Sequence, residues 1–355
     1  MRRTAATLIA TAGLLAAPVG QAWATGSWTE EPAPTTAEFG TLLAADSAQG
    51  ESWAFGYTSD SEGPLGQASA VYRKGEQGWQ EMPIESIGRL VDGAVIAPDD
   101  VWTISLPFKD GNATTAHWDG RQWTQVDLAS PAYAKPEALK AFAPDDVWTV
   151  GHMYATRGMA QHWDGKAWTD VPVPELGEGL YSLSDVNGVA SDDLWAVGQT
   201  TSPARGVALH WDGKAWTEVP VPDVNADPGV PEGLTDVLAL APDDVWIGGY
   251  SGQTNREVPF TAHWDGTAWQ VFDLAESGKI TQLVQVGDQV QLFAVGPNLE
   301  PIWRGWTGSS WEGKLAPPMT RVYGATVQDD GTLLGVGDRT GAEARHEPST
   351  ATYQD

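Results

Sequence analysis

One phrase recurs four times along the chain: APDDVWTIS at 97–105, APDDVWTVG at 143–151, ASDDLWAVG at 190–198 and APDDVWIGG at 241–249. A second phrase follows each copy: AHWDGRQWTQV (116–126), QHWDGKAWTDV (161–171), LHWDGKAWTEV (209–219) and AHWDGTAWQVF (262–272). The leading tryptophans, Trp102, Trp148, Trp195 and Trp246, stand 46, 47 and 51 residues apart. A near-constant period of this length marks a repeat architecture, in which each unit must pack on its neighbours to bury an apolar face.

Local chemistry makes the unit a sheet. Pro-Asp-Asp presets a tight turn, and Asp-Gly supplies the positive φ angles of a two-residue hairpin. Runs such as VWTVG are β-branched and aromatic and carry no helical period. The expected unit is a four-stranded antiparallel sheet whose innermost strand precedes the Pro-Asp-Asp turn, at 139–143, 186–190 and 237–241. Ala141, Gly188 and Ala239 are small there, as suits sheets converging on an axis. Weaker copies extend the array upstream, with GESWAFG (50–56) and AVYRKGEQGWQEMP (70–83), and downstream, with VQLFAVG (290–296) and GWTGSSW (305–311). GTLLGVG (331–337) and TATYQD (350–355) begin a seventh unit that lacks its last strand, and GSWTEEPAP (26–34) matches KAWTDVPVP (166–174) at the other end of the chain. The expectation is an all-β fold: a single seven-bladed β-propeller over 25–355, closed by its amino-terminal strand pairing with the last blade. A solenoid would instead need distinct caps at its two ends.

A strand ending near glycine, an aromatic closing the next strand and a Trp opening the last one ahead of a V-P segment resemble the kelch-type blade of galactose-oxidase-like propellers. Tyr72 and Trp79 keep the kelch spacing, with six residues between them, whereas Trp163 and Trp168 have four. The pairing of the Asp-Asp-x-Trp and HWDGxxW phrases is also similar to exported proteins of actinobacterial type. The resemblance implies a propeller but transfers no activity: galactose oxidase chemistry needs a cysteine-linked tyrosine, and this chain has no Cys.

Residues 1–24 read as a signal peptide, with Arg2 and Arg3, an apolar run from about 5 to 19, and Ala22-Trp23-Ala24 before the cleavage point. Cleavage after Ala24 would send a secreted, extracellular protein out without a lipid anchor, since no Cys follows. A formal charge of -27, from 20 basic against 47 acidic residues, opposes nucleic acid and anionic membrane surfaces as partners. A monomer is expected.

The recurrent His117, His162, His210 and His263 occupy equivalent places in different blades, too far apart to share an ion, so they read as structural and no metal or other cofactor is expected. The paired aspartates Asp99/Asp100, Asp145/Asp146, Asp192/Asp193 and Asp243/Asp244 read as turn caps, and the leading tryptophans as packing between sheets. No catalytic set is expected. Specificity should lie on the face built from the variable connections, where Tyr154, Arg157, Tyr181, Arg205, Tyr250 and Arg256 are the candidate ligand-binding residues. Asp92, Asp185 and Asp236 align near the start of the innermost strands and would ring the channel mouth, facing a cation or a hydroxyl-rich ligand. The function expected is a non-catalytic binding or scaffold protein for an extracellular carbohydrate, cell-wall polymer or protein. The alternative is a hydrolase or lyase with its pocket at the channel mouth.

Overall fold

A computed structural model describes residues 26–35, 37, 39–60, 66–108, 111–130, 132–153, 157–177, 180–225, 230–253, 256–274, 276–341 and 345–354. The expected signal peptide and Tyr154 lie outside the described residues. Among these residues the chain forms seven four-stranded antiparallel sheets, the blades of a propeller. The innermost strands of blades 1 to 7 are Phe39–Ala48, Arg89–Ala97, Ala134–Ala143, Tyr181–Ala190, Glu232–Ala241, Lys279–Val286 and Arg321–Val327. The strand Ser27–Pro32 completes blade 7, pairing antiparallel with His346–Gln354 so that Trp28 faces Tyr353.

The innermost strands start earlier than the sequence pattern predicts, at 134, 181 and 232 in blades 3 to 5. A β-bulge is the reason: register slips between Pro136 and Ala138, Leu183 and Asp185, and Leu234 and Asp236, which interrupts the period-two alternation and hides the first half of each strand. Ala141, Gly188 and Ala239 do line the central channel.

The core sits between blades. Trp102 of blade 2 is fully buried, its ring 5.0 Å from Trp163 and 5.8 Å from Trp168 in the hairpin of blade 3. Trp148 meets Trp211 and Trp216, Trp195 meets Trp264 and Trp269, and Trp246 meets Trp306 and Trp311 in the same way. Trp53 of blade 1 repeats the contact with Trp118 and Trp123. At the closure Trp28 and Tyr353 supply the hairpin pair, and blade 6 delivers Trp303 to them at 5.1 and 4.7 Å. The seam between first and last strands is therefore packed like the internal ones. Trp28→Ala should cost about 3 kcal/mol in urea unfolding, the low end for Trp truncation because Trp28 is partly buried, and somewhat less than Trp168→Ala. An unchanged midpoint would show that the terminal strand does not hold the ring.

Candidate functional site

The recurrent phrases are fully occupied by structure. In blade 3, His162 Nε2 lies 2.9 Å from Asp146 Oδ1 while its ring packs against Trp148 at 4.7 Å. His117 with Asp100, His210 with Asp193 and His263 with Asp244 repeat the pair, each at 2.8 Å. Blade 1 keeps the same place for a different ion pair, Arg73 with Glu51. The second acid of each Asp-Asp pair thus holds a histidine, which corrects its reading as a turn cap: the adjacent strand brings the imidazole within reach. The first acid packs instead. A Cβ added to Gly165, at φ +85°, would come within 2.8 Å of Asp145 Cβ, so the Asp-Gly hairpin closes against the Pro-Asp-Asp turn. Trp163 Nε1 donates to the Pro144 carbonyl at 3.2 Å across the same gap. Asp164 Oδ1 accepts the amides of Lys166 and Ala167 at 3.0 Å, and these bonds hold its carboxyl below the usual range. One face of the ring is committed to this frame.

The channel interior belongs to the frame as well. Asp92 Oδ2 accepts the amide of Leu139 in the next blade at 2.6 Å, Asp185 Oδ2 that of Val237 at 2.8 Å, and Asp236 Oδ2 that of Leu283 at 2.7 Å. Asp46, which the alignment missed because the equivalent position in blade 1 is Ala44, does the same for Val95 at 2.8 Å. Two residues on along a strand is the same side, which is how Asp46 reaches the neighbour. So the three aspartates predicted at the mouth lie inside a polar cavity of about 500 Å³, bonded blade to blade, together with Asp46 and Lys140. Burial raises all four carboxyls. Asp92 is pushed up to about 8 by burial, with Asp185 and Asp46 adding repulsion against the bonds from Leu139 and Gly93. Asp236 stands well above its ordinary value through burial and then through Asp185, while Lys140 moderates the burial effect at Asp46 and Asp185.

The mouth itself is built by residues at the first turn of the strands. Just ahead of each bulge, aligned innermost positions carry Arg89, Lys135, Lys279 and Arg321, opposite Leu106, His152, Val295 and Asp338 on the second strands. Four cations thus hold equivalent places around one end of the ring, outside the lining of the channel cavity, in a chain of net charge -27. Aromatic rings sit with them: Arg89 lies 4.9 Å over Tyr57, Lys279 4.8 Å over Tyr250, and Arg321 5.4 Å over Tyr323. Desolvation lowers the Lys279 ammonium, against the pull of Glu257. Glu137, on the bulge of blade 3, is pushed up to about 7 by burial despite Lys135, and its Oε1 is 3.8 Å from His152 Nδ1.

Of the loop residues singled out in the sequence, Tyr250 belongs to this mouth, its hydroxyl donating to Gln199 Oε1 at 2.7 Å. Tyr181 does not: it is 3% exposed, packs against Gly158 and donates to the Pro174 carbonyl at 2.7 Å. Its phenol therefore serves the core between blades 3 and 4. Arg205 is paired with Glu218 at 2.6 Å on its own blade. Arg157 opens the third strand of blade 3 and Arg256 sits on the connection within blade 5, both exposed and on different blades. The four cations were missed because a bulge masks each of the strand starts that carry them and because blades 6 and 7 lack the recurrent phrases. Aligning the innermost strands five residues further back would have shown them.

No protein-family model matches the chain, and no curated protein matches it in sequence. Among solved structures it is similar to YCF48 bound to D1 peptide, at 15% identity over 92% of this chain and 97% of that one, with a TM-score of 0.62. YCF48 from Cyanidioschyzon merolae gives 13% identity over 92% and 98%, with a TM-score of 0.61. A variant of the Aleuria aurantia lectin in complex with α-methyl-L-fucoside gives 14% identity over 78% and 95%, with a TM-score of 0.51. At these identities the likeness is one of fold: a propeller.

The channel carboxyls set a pH dependence. Folded Asp92, Asp236, Asp185 and Asp46 bind protons more tightly than their unfolded forms, whose ordinary value is 3.8. Their stabilisation is complete below that value and is lost as pH rises through each folded value, about 8 for Asp92, with a slope of up to about 1.4 kcal/mol per pH unit for each group protonated only when folded. The urea midpoint should be lower at pH 8.5 than at pH 5.5, and Asp92→Asn should flatten the difference. A midpoint that climbs across this window would contradict the assignment.

Proposed function

We propose that this chain is a secreted, non-catalytic binding propeller that takes an extracellular carbohydrate, cell-wall polymer or protein on its variable-loop face, at the channel mouth. The carrying observation is the placement of Arg89, Lys135, Lys279 and Arg321 at equivalent positions around one end of the ring of an acidic chain, three of them over Tyr57, Tyr250 and Tyr323. Arginine and tyrosine are among the residue types enriched at binding hot spots, and strand positions present them without a backbone ordering cost. Two propellers of similar fold are described with ligands, YCF48 with a peptide and the Aleuria lectin with a fucoside, which supports a binding role. The blade type is read as kelch-like on the aromatics of blade 1, where Trp79 pairs with Lys74, two residues beyond Tyr72.

The test is a glycan-array and cell-wall pull-down screen with residues 25–355. Whatever ligand is retained, the double variant Lys135→Glu and Lys279→Glu should lose at least tenfold in affinity without a change in melting temperature. Lys166→Glu with Lys214→Glu, in the Asp-Gly turns of the opposite face, should retain it. The reverse pattern would place the site on the turn face. A hydrolytic reading would rest on Glu137 and His152; turnover of a retained glycan that Glu137→Gln abolishes while binding persists would establish it.

A further inference from the structure

The seam joining blades 7, 1 and 2 carries an aromatic and guanidinium cluster that neither the frame nor the channel uses. Tyr57, Phe108 and Tyr323 are half-buried, and the rings of Tyr57 and Phe108 meet edge to face at 6.4 Å. Arg89 lies over Tyr57, and Arg321 over Tyr323. Arg321 is fixed by two bonds to the fully buried Asp338, Nε to Oδ1 at 3.0 Å and Nη2 to Oδ2 at 2.5 Å. Arg89 is exposed, and among the described residues no carboxylate lies within 4.0 Å of it. Among the described residues the phenol oxygens of Tyr57 and Tyr323 have no hydrogen-bond partner either.

Resting on the binding role proposed above, we infer that this seam takes a uronic-acid residue of an acidic glycan, the carboxylate on Arg89 and the sugar ring against Tyr57 and Tyr323. A guanidinium held by an aromatic ring rather than by an acid keeps its planar donor fork free, and that fork matches a carboxylate bidentately. The parts of the Tyr57 and Tyr323 rings that Arg89 and Arg321 leave uncovered offer apolar surface to the C–H face of a pyranose, and their hydroxyls can both donate to and accept from ring hydroxyls. Arg321, neutralised by Asp338, adds donors without adding net charge. The overall charge of -27 repels a densely phosphorylated polymer, whereas one carboxylate per ring needs only the local field of Arg89 within about a Debye length, ~8–10 Å.

The experiment is calorimetric titration of residues 25–355 with a trimer of α-1,4-linked galacturonate, its methyl ester, and a short peptide ending in a free carboxylate. Binding of the trimer should weaken about tenfold or more on esterification, and by a similar factor in Arg89→Gln, as expected for loss of a charge-assisted bond. Arg89→Lys should recover only part of the loss, and raising salt should weaken the wild type. Arg89 is exposed, so an unchanged melting temperature will show that these variants fold. Equal binding of the ester, a trimer affinity indifferent to Arg89→Gln, or preference for the peptide would each overturn the inference. No trimer binding, with a neutral glycan or a protein retained in a manner sensitive to Lys135→Glu and Lys279→Glu, would overturn it and leave the binding role intact. Failure of both experiments would remove both.

Discussion

Six of the seven blades complete their hydrophobic core by inserting an aromatic into the hairpin of the next, and blade 7 inserts Leu334 and Val336 against Tyr72 and Trp79 of blade 1. Trp102 is fully buried because Trp163 and Trp168 of blade 3 cover it, and the same handover runs from blade to blade. A side chain of this size left half in water forfeits a large apolar area, so a linear stack would expose one nest at its end. Closure answers that constraint. Trp28 and Tyr353 receive Trp303 as the other hairpins receive their neighbours, which is why the two ends of the chain meet in one sheet.

The two faces of the ring then divide the work. On the turn face the histidine-aspartate pairs, the Asp-Gly hairpins and the bonds from Trp118, Trp163 and Trp211 to turn carbonyls commit the recurrent acids, imidazoles and these indoles to partners, whereas the indoles of Trp102, Trp195, Trp216 and Trp269 serve the core by packing alone. Inside the channel the carboxylates of Asp46, Asp92, Asp185 and Asp236 join successive blades through backbone amides. Buried acids gain from such bonds but lose solvation, and the channel keeps them above the usual carboxylate range. The loop face carries the complement: cations with aromatic partners, placed at strand starts that the scaffold holds rigid. A binding site on such positions is more sharply oriented than one on the connecting loops.

Much of the fold was legible in the chain because the repeat exposes it: the period, the turn chemistry of Pro-Asp-Asp and Asp-Gly, and the split seventh unit suffice for seven closed blades. Far less of the site could be read. Tyr181 looked like a loop aromatic, yet it packs on Gly158, because a strand start beyond a bulge carries no alternation to betray it. Asp92, Asp185 and Asp236 were aligned correctly, but their place inside the channel depends on how closely neighbouring innermost strands approach.

The sequence by itself determined the frame, since repeated local signals, each satisfied within one unit and its neighbour, dictate sheet, turn and count. Only the tertiary structure decided what faces outward at the mouth. Arg89, Tyr57 and Tyr323 come from three different blades, and their meeting follows from ring closure and bulge geometry, which no stretch of contiguous residues encodes.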